Sequence, residues 1–239
     1  QYSIKPFGEP TEPTQRFDAT VAHTDLAPFT DLELTPKGLH FGGAADGHVY
    51  LEWPSGHFNQ RRGGGHVVVT PPAGVALMTP SLDAARAADA DHRGHEWGPF
   101  APMPLPAHLP IGGQLGFTLD PERWQIDGGI FRSERTHVRF DGTAGWDARG
   151  RFNFHVVSRD FQEADQLLTG IITDFGSPTG VVPFGGRGEF DGTMTGAFNR
   201  PRVEGTFSGE DLWAWDTLWG AGGARLVVEN NYIDIRDGV

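Results

Sequence analysis

Apolar and polar residues alternate with a period of two along most of the chain. Leu115, Phe117 and Leu119 share one side of a segment, with Gly116 and Thr118 on the other. Thr136, Val138 and Phe140 alternate against His137, Arg139 and Asp141, and Phe152, Phe154 and Val156 against Asn153 and His155. The same spacing recurs at Val49, Leu51 and Trp53, at Val67 and Val69, and at Leu226 and Val228. Each segment reads as a half-buried strand, apolar on one face and wet on the other. Turn formers separate them: Asp46-Gly47, Gly63-Gly64-Gly65, Asp127-Gly128-Gly129, Asp141-Gly142 and Asp191-Gly192. Strands at roughly ten-residue spacing with short turns predict an antiparallel meander.

Helical patterning is scarce. Ser81 is an N-cap candidate for a helix over 81–88 with a thin apolar face. Residues 160–168 are better patterned, with Phe161, Ala164, Leu167 and Leu168 at helical spacing and Gly170 positioned to end the helix. Residues 76–110, rich in Pro and Gly, read as a linker or flap. It lies between a first β segment, 1–75, and a second, 111–239, that continues the same sheet. One or two short helices cannot cover the apolar side of a dozen strands. The sheet must then pack on a second sheet, fold over on itself, or hold an apolar guest in an open groove.

Two motifs recur. Phe140-Asp141-Gly142-Thr143 returns as Phe190-Asp191-Gly192-Thr193, and Phe17-Asp18-Ala19-Thr20 is a near copy. Asp25-Leu26, followed by Phe29 and Leu32, has the spacing of Asp211-Leu212, Trp215 and Leu218. Degenerate recurrence over tens of residues is the mark of a stacked β array.

Composition narrows the class. The 239 residues include 34 Gly and 18 Pro, but also 17 Phe and 7 Trp, which supply ample apolar area for a core. Nineteen Lys and Arg against 31 Asp and Glu give a formal charge of −12, which opposes nucleic-acid binding. Cys is absent, so disulfides and thiolate metal sites are excluded. No apolar run approaches the ~18–20 residues of a membrane-spanning helix. The chain opens on Gln1 without a signal pattern and closes just after a strand-like run, 231–235. That reads as a piece of a longer protein.

Residues 109–146 resemble repeats of the bacterial AsmA-like and TamB proteins. The shared pattern is a Gly-led strand, a strand ending in a Gly turn at Ile126-Asp127-Gly128-Gly129, then Ser133, Thr136, Val138, Phe140 and Gly142. The run 152–161 is similar to the family's strand leading into an Asp-initiated helical turn. Gly192, Gly196, Pro201, Val203 and Gly205 match its "Gly-x-Gly…Pro-x-Val-x-Gly" passage. The likeness covers most of the chain outside 76–108 and rests on the order of the blocks.

The resemblance implies an all-β fold, a long curved antiparallel sheet folded into an open groove (a β-taco), with one or two short helices. It implies a periplasmic protein, tethered to the inner membrane of a Gram-negative bacterium through an N-terminal anchor outside this chain. Such a protein carries phospholipid acyl chains between the inner and outer membranes and supports outer-membrane biogenesis. Its contacts with outer-membrane assembly proteins, of the translocation and assembly module type, lie in segments outside this chain. Candidate groove residues are Leu115, Phe117, Leu119, Ile126, Val138, Phe140, Phe152, Phe154, Val156, Leu226 and Val228. The family is not enzymatic, so no catalytic residue, metal or cofactor is expected.

Other constellations are less specific. His92, His95 and Glu96 lack the i, i+4 spacing of a zinc-binding helix and sit among turn formers. Asp120 with Glu122, or Asp127 with Glu134, are conceivable glycosidase pairs in a chain where surface carboxylates are the rule. Trp213, Trp215 and Trp219 fit packing better than sugar stacking. The alternative to a lipid conduit is a secreted β-sandwich that binds carbohydrate or serves as an adhesion module.

Overall fold

The computed structural model describes residues 13–31, 40–81, 106–174, 184–214, 217–229 and 232–239. Eleven strands form one antiparallel sheet. They are β1 (Thr14–Asp25), β3 (Ala44–Pro54), β4 (Arg62–Thr70), β6 (Gly112–Leu119), β7 (Arg123–Arg132), β8 (Thr136–Gly145), β9 (Arg149–Ser158), β10 (Phe184–Ala197), β11 (Arg200–Ala214), β12 (Thr217–Glu229) and β13 (Tyr232–Arg236). Spatial order follows sequence order throughout, with no crossover. The sheet is open, not closed into a barrel. A strip of two parallel two-residue strands, β2 (Phe41–Gly42) and β5 (Leu109–Pro110), is the second sheet among the described residues. It is far too small to be the other half of a sandwich.

Short turns enforce this order, because each strand folds back on its predecessor before any other partner is available. β4 pairs directly with β6, so the 41 residues between them leave and rejoin the sheet at adjacent strands. The described ends of the intervening chain are anchored. Met78 is buried with Val157, and its N–H donates to the Ser133 carbonyl. Leu109 is buried with Ile111.

Helix content among the described residues is small. A helical turn, α1 (Ala27–Thr30), and a 3-10 turn, Phe58–Gln60, accompany one true helix, α2 (Phe161–Asp174). The helix runs through Gly170, where the sequence suggested an end. One Gly costs only about 1 kcal/mol relative to Ala, less than the packing of the apolar stripe can supply. The helix expected over 81–88 lies, beyond Ser81, outside the described residues.

The recurring Phe-Asp-Gly-Thr tetrapeptide has a clear physical basis. Phe takes the apolar face and Asp the polar face, where it meets a cross-strand partner. His155 donates to Asp191 (2.7 Å), Asn153 to Asp141 (3.2 Å) and His48 to Asp18 (2.6 Å), and Asp18 also accepts from Arg16 of its own strand (2.8 Å). The Gly gives room for a neighbouring ring or strand. A Cβ at Gly142 would stand 2.3 Å from the Arg151 carbonyl and 2.6 Å from Phe152 Cδ1. Ala19 is tolerated at the equivalent place in β1, which lies at the sheet edge.

The second motif is not a structural repeat. Asp25 ends β1, and its carboxylate accepts from the Ala27 N–H at the start of α1. Asp211 instead lies within β11, at a bulge and with a positive φ of 53°. The same Asp-Leu spacing thus serves a helix entry in one copy and a bend in a continuous strand in the other.

Candidate functional site

All eleven candidate groove residues share one face. Register carries the face from strand to strand: Val67 opposes Leu115, Phe117 opposes Ile126, and Ile126 opposes Gly142. Gly142 opposes Phe152, Phe140 opposes Phe154, and Val138 opposes Val156. Beyond β9 the face continues through Phe190 and Phe207, then through Leu226 opposite Gly205 and Val228 opposite Val203. A bulge in β7 at Asp127-Gly128-Gly129, opposed by both β6 and β8, adds one residue without inverting the pattern. Val49, Leu51, Phe17 and Ala19 extend the face to the first strand, and Ile233 and Ile235 to the last.

The two ends of the strands are covered differently from their middle. At one end α2 lies on the apolar face. Phe161 stacks on Phe184 (5.4 Å between centroids) and tilts against Phe207 (5.6 Å). Leu167 is buried with Leu109 and Ile111, against Leu26, Phe41, Val69 and Phe131. Glu163 fastens the helix to the sheet by accepting from the Ser133 and Thr136 hydroxyls. Desolvation pushes the Glu163 carboxyl above its ordinary range, and the two hydroxyls only partly offset this.

At the other end Trp124, Phe152 and Phe198 form a triangle with centroids 5.5, 6.1 and 5.8 Å apart, and Ile126, Met194 and Ala148 pack round it. Phe152 is only 7% exposed, and so belongs to this wall.

Between the walls the face is a lane of half-buried side chains. Phe117 covers Gly65, Phe140 covers Gly129, and Phe190 covers Gly192 and Gly205; an added Cβ would stand 2.3–2.9 Å from ring atoms at each. Phe154 stacks on Phe190 at 5.5 Å. Rings laid over glycines make a floor rich in aromatic carbon with little relief. The other ten candidates are half-buried, and no element among the described residues packs as a second layer over Phe140, Phe154 and Phe190. Phe190 and Phe207 are members that sequence patterning missed, because Gly occupies the alternating positions that would have marked their strands. The Phe of the tetrapeptide was the available signal for Phe190.

The opposite face is polar over its middle, while Val157 on it is buried under Met78. It holds a shallow depression of about 580 Å³ lined by Arg139, Asp141, Asn153, His155, Asp191 and Arg225, among others. Several of these groups already satisfy one another, as Asp141 with Asn153 and Asp191 with His155. Arg202 bridges Glu204 and Glu229 on the same face.

The Asp members of the two conceivable carboxylate pairs have structural roles. Asp120 accepts from the Glu122 and Arg123 N–H groups, which hold its carboxyl below the usual range, and Asp127 accepts from Gln125. Trp213 lies over Gly185, and Trp219 is 65% exposed. Trp215, His92, His95 and Glu96 lie outside the described residues.

No protein-family model matches the chain, and no curated protein or solved structure is significantly similar to it. Fold and face therefore define the class: among the described residues, a β protein built on one large open sheet with a continuous apolar face.

Proposed function

We propose that this chain is part of a periplasmic bridge of the AsmA-like kind, in which the apolar lane carries phospholipid acyl chains between the inner and outer membranes. The observation that carries the reading is an apolar face continuous over eleven strands, whose middle no element among the described residues covers. Exposed apolar patches of this extent are rare on soluble monomers and mark binding surfaces. Burial of each methylene contributes about 0.8 kcal/mol, so a lane without polar recognition groups can hold an acyl chain of any length.

The lane crosses the strands. Ten inter-strand intervals at about 4.8 Å make it on the order of 48 Å long, walled along one side by α2 and on the other by the Trp124 triangle. Sliding along such a floor needs no catalytic group and no cofactor. On this reading the membrane anchor and the contacts with outer-membrane assembly proteins belong to other segments of the protein.

Extraction of the purified chain followed by lipid mass spectrometry tests the proposal. Phospholipid should co-purify, and a delipidated sample should take up a fluorescent phospholipid from vesicles. A chain that purifies empty and takes up none would refute it.

A further inference from the structure

Three ligand-type side chains converge at the α2 end of the sheet, away from the lane. Asp31 follows α1, His40 precedes β2, and His108 precedes β5. Asp31 Oδ1 accepts from His40 Nδ1 (3.1 Å) and from His108 Nε2 (3.0 Å), and all three atoms lie within 4.8 Å of one another. We propose that Asp31, His40 and His108 bind one divalent transition-metal ion of the zinc class.

Topology holds the three in place. β2 and β5 pair in parallel, with Phe41 opposite Leu109, so the two histidines occupy equivalent positions one residue before each strand. The Leu109 N–H donates to the His40 carbonyl at 2.7 Å. Thr30 is 4% exposed, and its hydroxyl accepts from the Phe41 N–H, which fixes Asp31 beside β2. The ligands themselves are partly exposed, with side-chain exposures of 52% for Asp31, 43% for His40 and 41% for His108, so an ion can reach them from solvent. They are thus accessible groups on anchored backbone.

The spacing fits a tetrahedral ion. Metal–ligand bonds of about 2.0–2.1 Å place neighbouring ligand atoms roughly 3.3 Å apart, close to the two distances from Asp31. Two imidazoles and a carboxylate suit zinc, nickel or copper, whereas magnesium and calcium require oxygen ligands. Each imidazole coordinates through the nitrogen facing Asp31, which gives up its hydrogen bond to the carboxylate as the neutral ring changes tautomer and carries its proton on the other nitrogen. Water completes the shell. The bound ion clasps α1 to the β2–β5 strip, which packs with Leu167 of α2 against the end of the apolar face.

Zinc titration of the EDTA-treated full chain by calorimetry and thermal melting tests this. One equivalent should bind and raise the melting temperature, while magnesium and calcium leave it unchanged. His40→Ala and His108→Ala should each weaken zinc by more than the ~10–100-fold lost when an outer-shell partner is removed. His48→Ala, which breaks the separate pair with Asp18, should bind as the parent does. Cobalt added to the parent should broaden the ring signals of His40 and His108 first, a readout that does not depend on the variants folding. Absence of binding, binding that survives both variants, or broadening of other histidines alone would overturn the site.

Discussion

Phe152 and Phe154 sit two residues apart on the same face of β9 and meet different surroundings. Phe152 is enclosed by Trp124 and Phe198, whereas Phe154 is half-buried on the open lane beside Phe190. A charge at 152 has no route to water and leaves a hole in the aromatic triangle. Phe152→Arg should therefore cost at least ~3–5 kcal/mol and abolish the folded state at moderate temperature. Phe154→Arg can turn its guanidinium out from the uncovered face and should cost about 1–2 kcal/mol, with the fold retained. Urea denaturation of both variants checks the contrast; equal, severe losses would mean that the middle of the face is covered. The shared face of these residues was legible in the sequence, because a period of two leaves a strand only two possible orientations. Their different environments were not, since Phe198 reaches the cluster from the turn between β10 and β11.

α2 is the one substantial helix among the described residues, and it is latched by a buried carboxyl. Glu163 is 5% exposed and hydrogen-bonded by two hydroxyls, yet desolvation raises its pKa above the unfolded value. The folded state thus holds this proton more tightly than the unfolded one. Its contribution to stability is fully present below the unfolded pKa and is lost as pH rises through the folded pKa. Each unit of elevation costs about 1.4 kcal/mol at neutral pH. Glu163→Gln keeps an acceptor for Ser133 and Thr136 without the charge. The variant should melt near the parent at pH 4 and above it at pH 8; a constant difference across that range would contradict the latch. Helical spacing at Phe161, Ala164 and Leu167 announced this element, but not what it packs against. The contact partners Leu109, Ile111 and Phe41 lie more than fifty residues away in sequence, and no local pattern links them to it.

At the scale of the molecule, one sheet winds through the described chain without closing, and each face has a distinct chemistry. Cross-strand pairs such as Asp191 with His155 and Arg202 with Glu229 keep the middle of one face in water, though Val157 on it is buried under Met78. The other is apolar from Phe17 to Ile235, bounded by a helical wall and an aromatic wall. Antiparallel order and the apolar face could be read from alternation and turn spacing. The lane could not, because it depends on which elements fold over the face, and strands that line an open face have the same alternation as strands in a sandwich.

Charged edge strands complement this architecture. Arg16 and Asp18 on β1, and Asp234 and Arg236 on β13, line the outer strands with paired charges that discourage edge-to-edge addition. The most direct test places a photo-reactive phenylalanine analogue at position 154 and, separately, at 153 on the opposite face, with irradiation in cells. An open lipid-bearing lane predicts phospholipid adducts at 154 and none at 153. Adducts at neither position, or equal adducts at both, would contradict it.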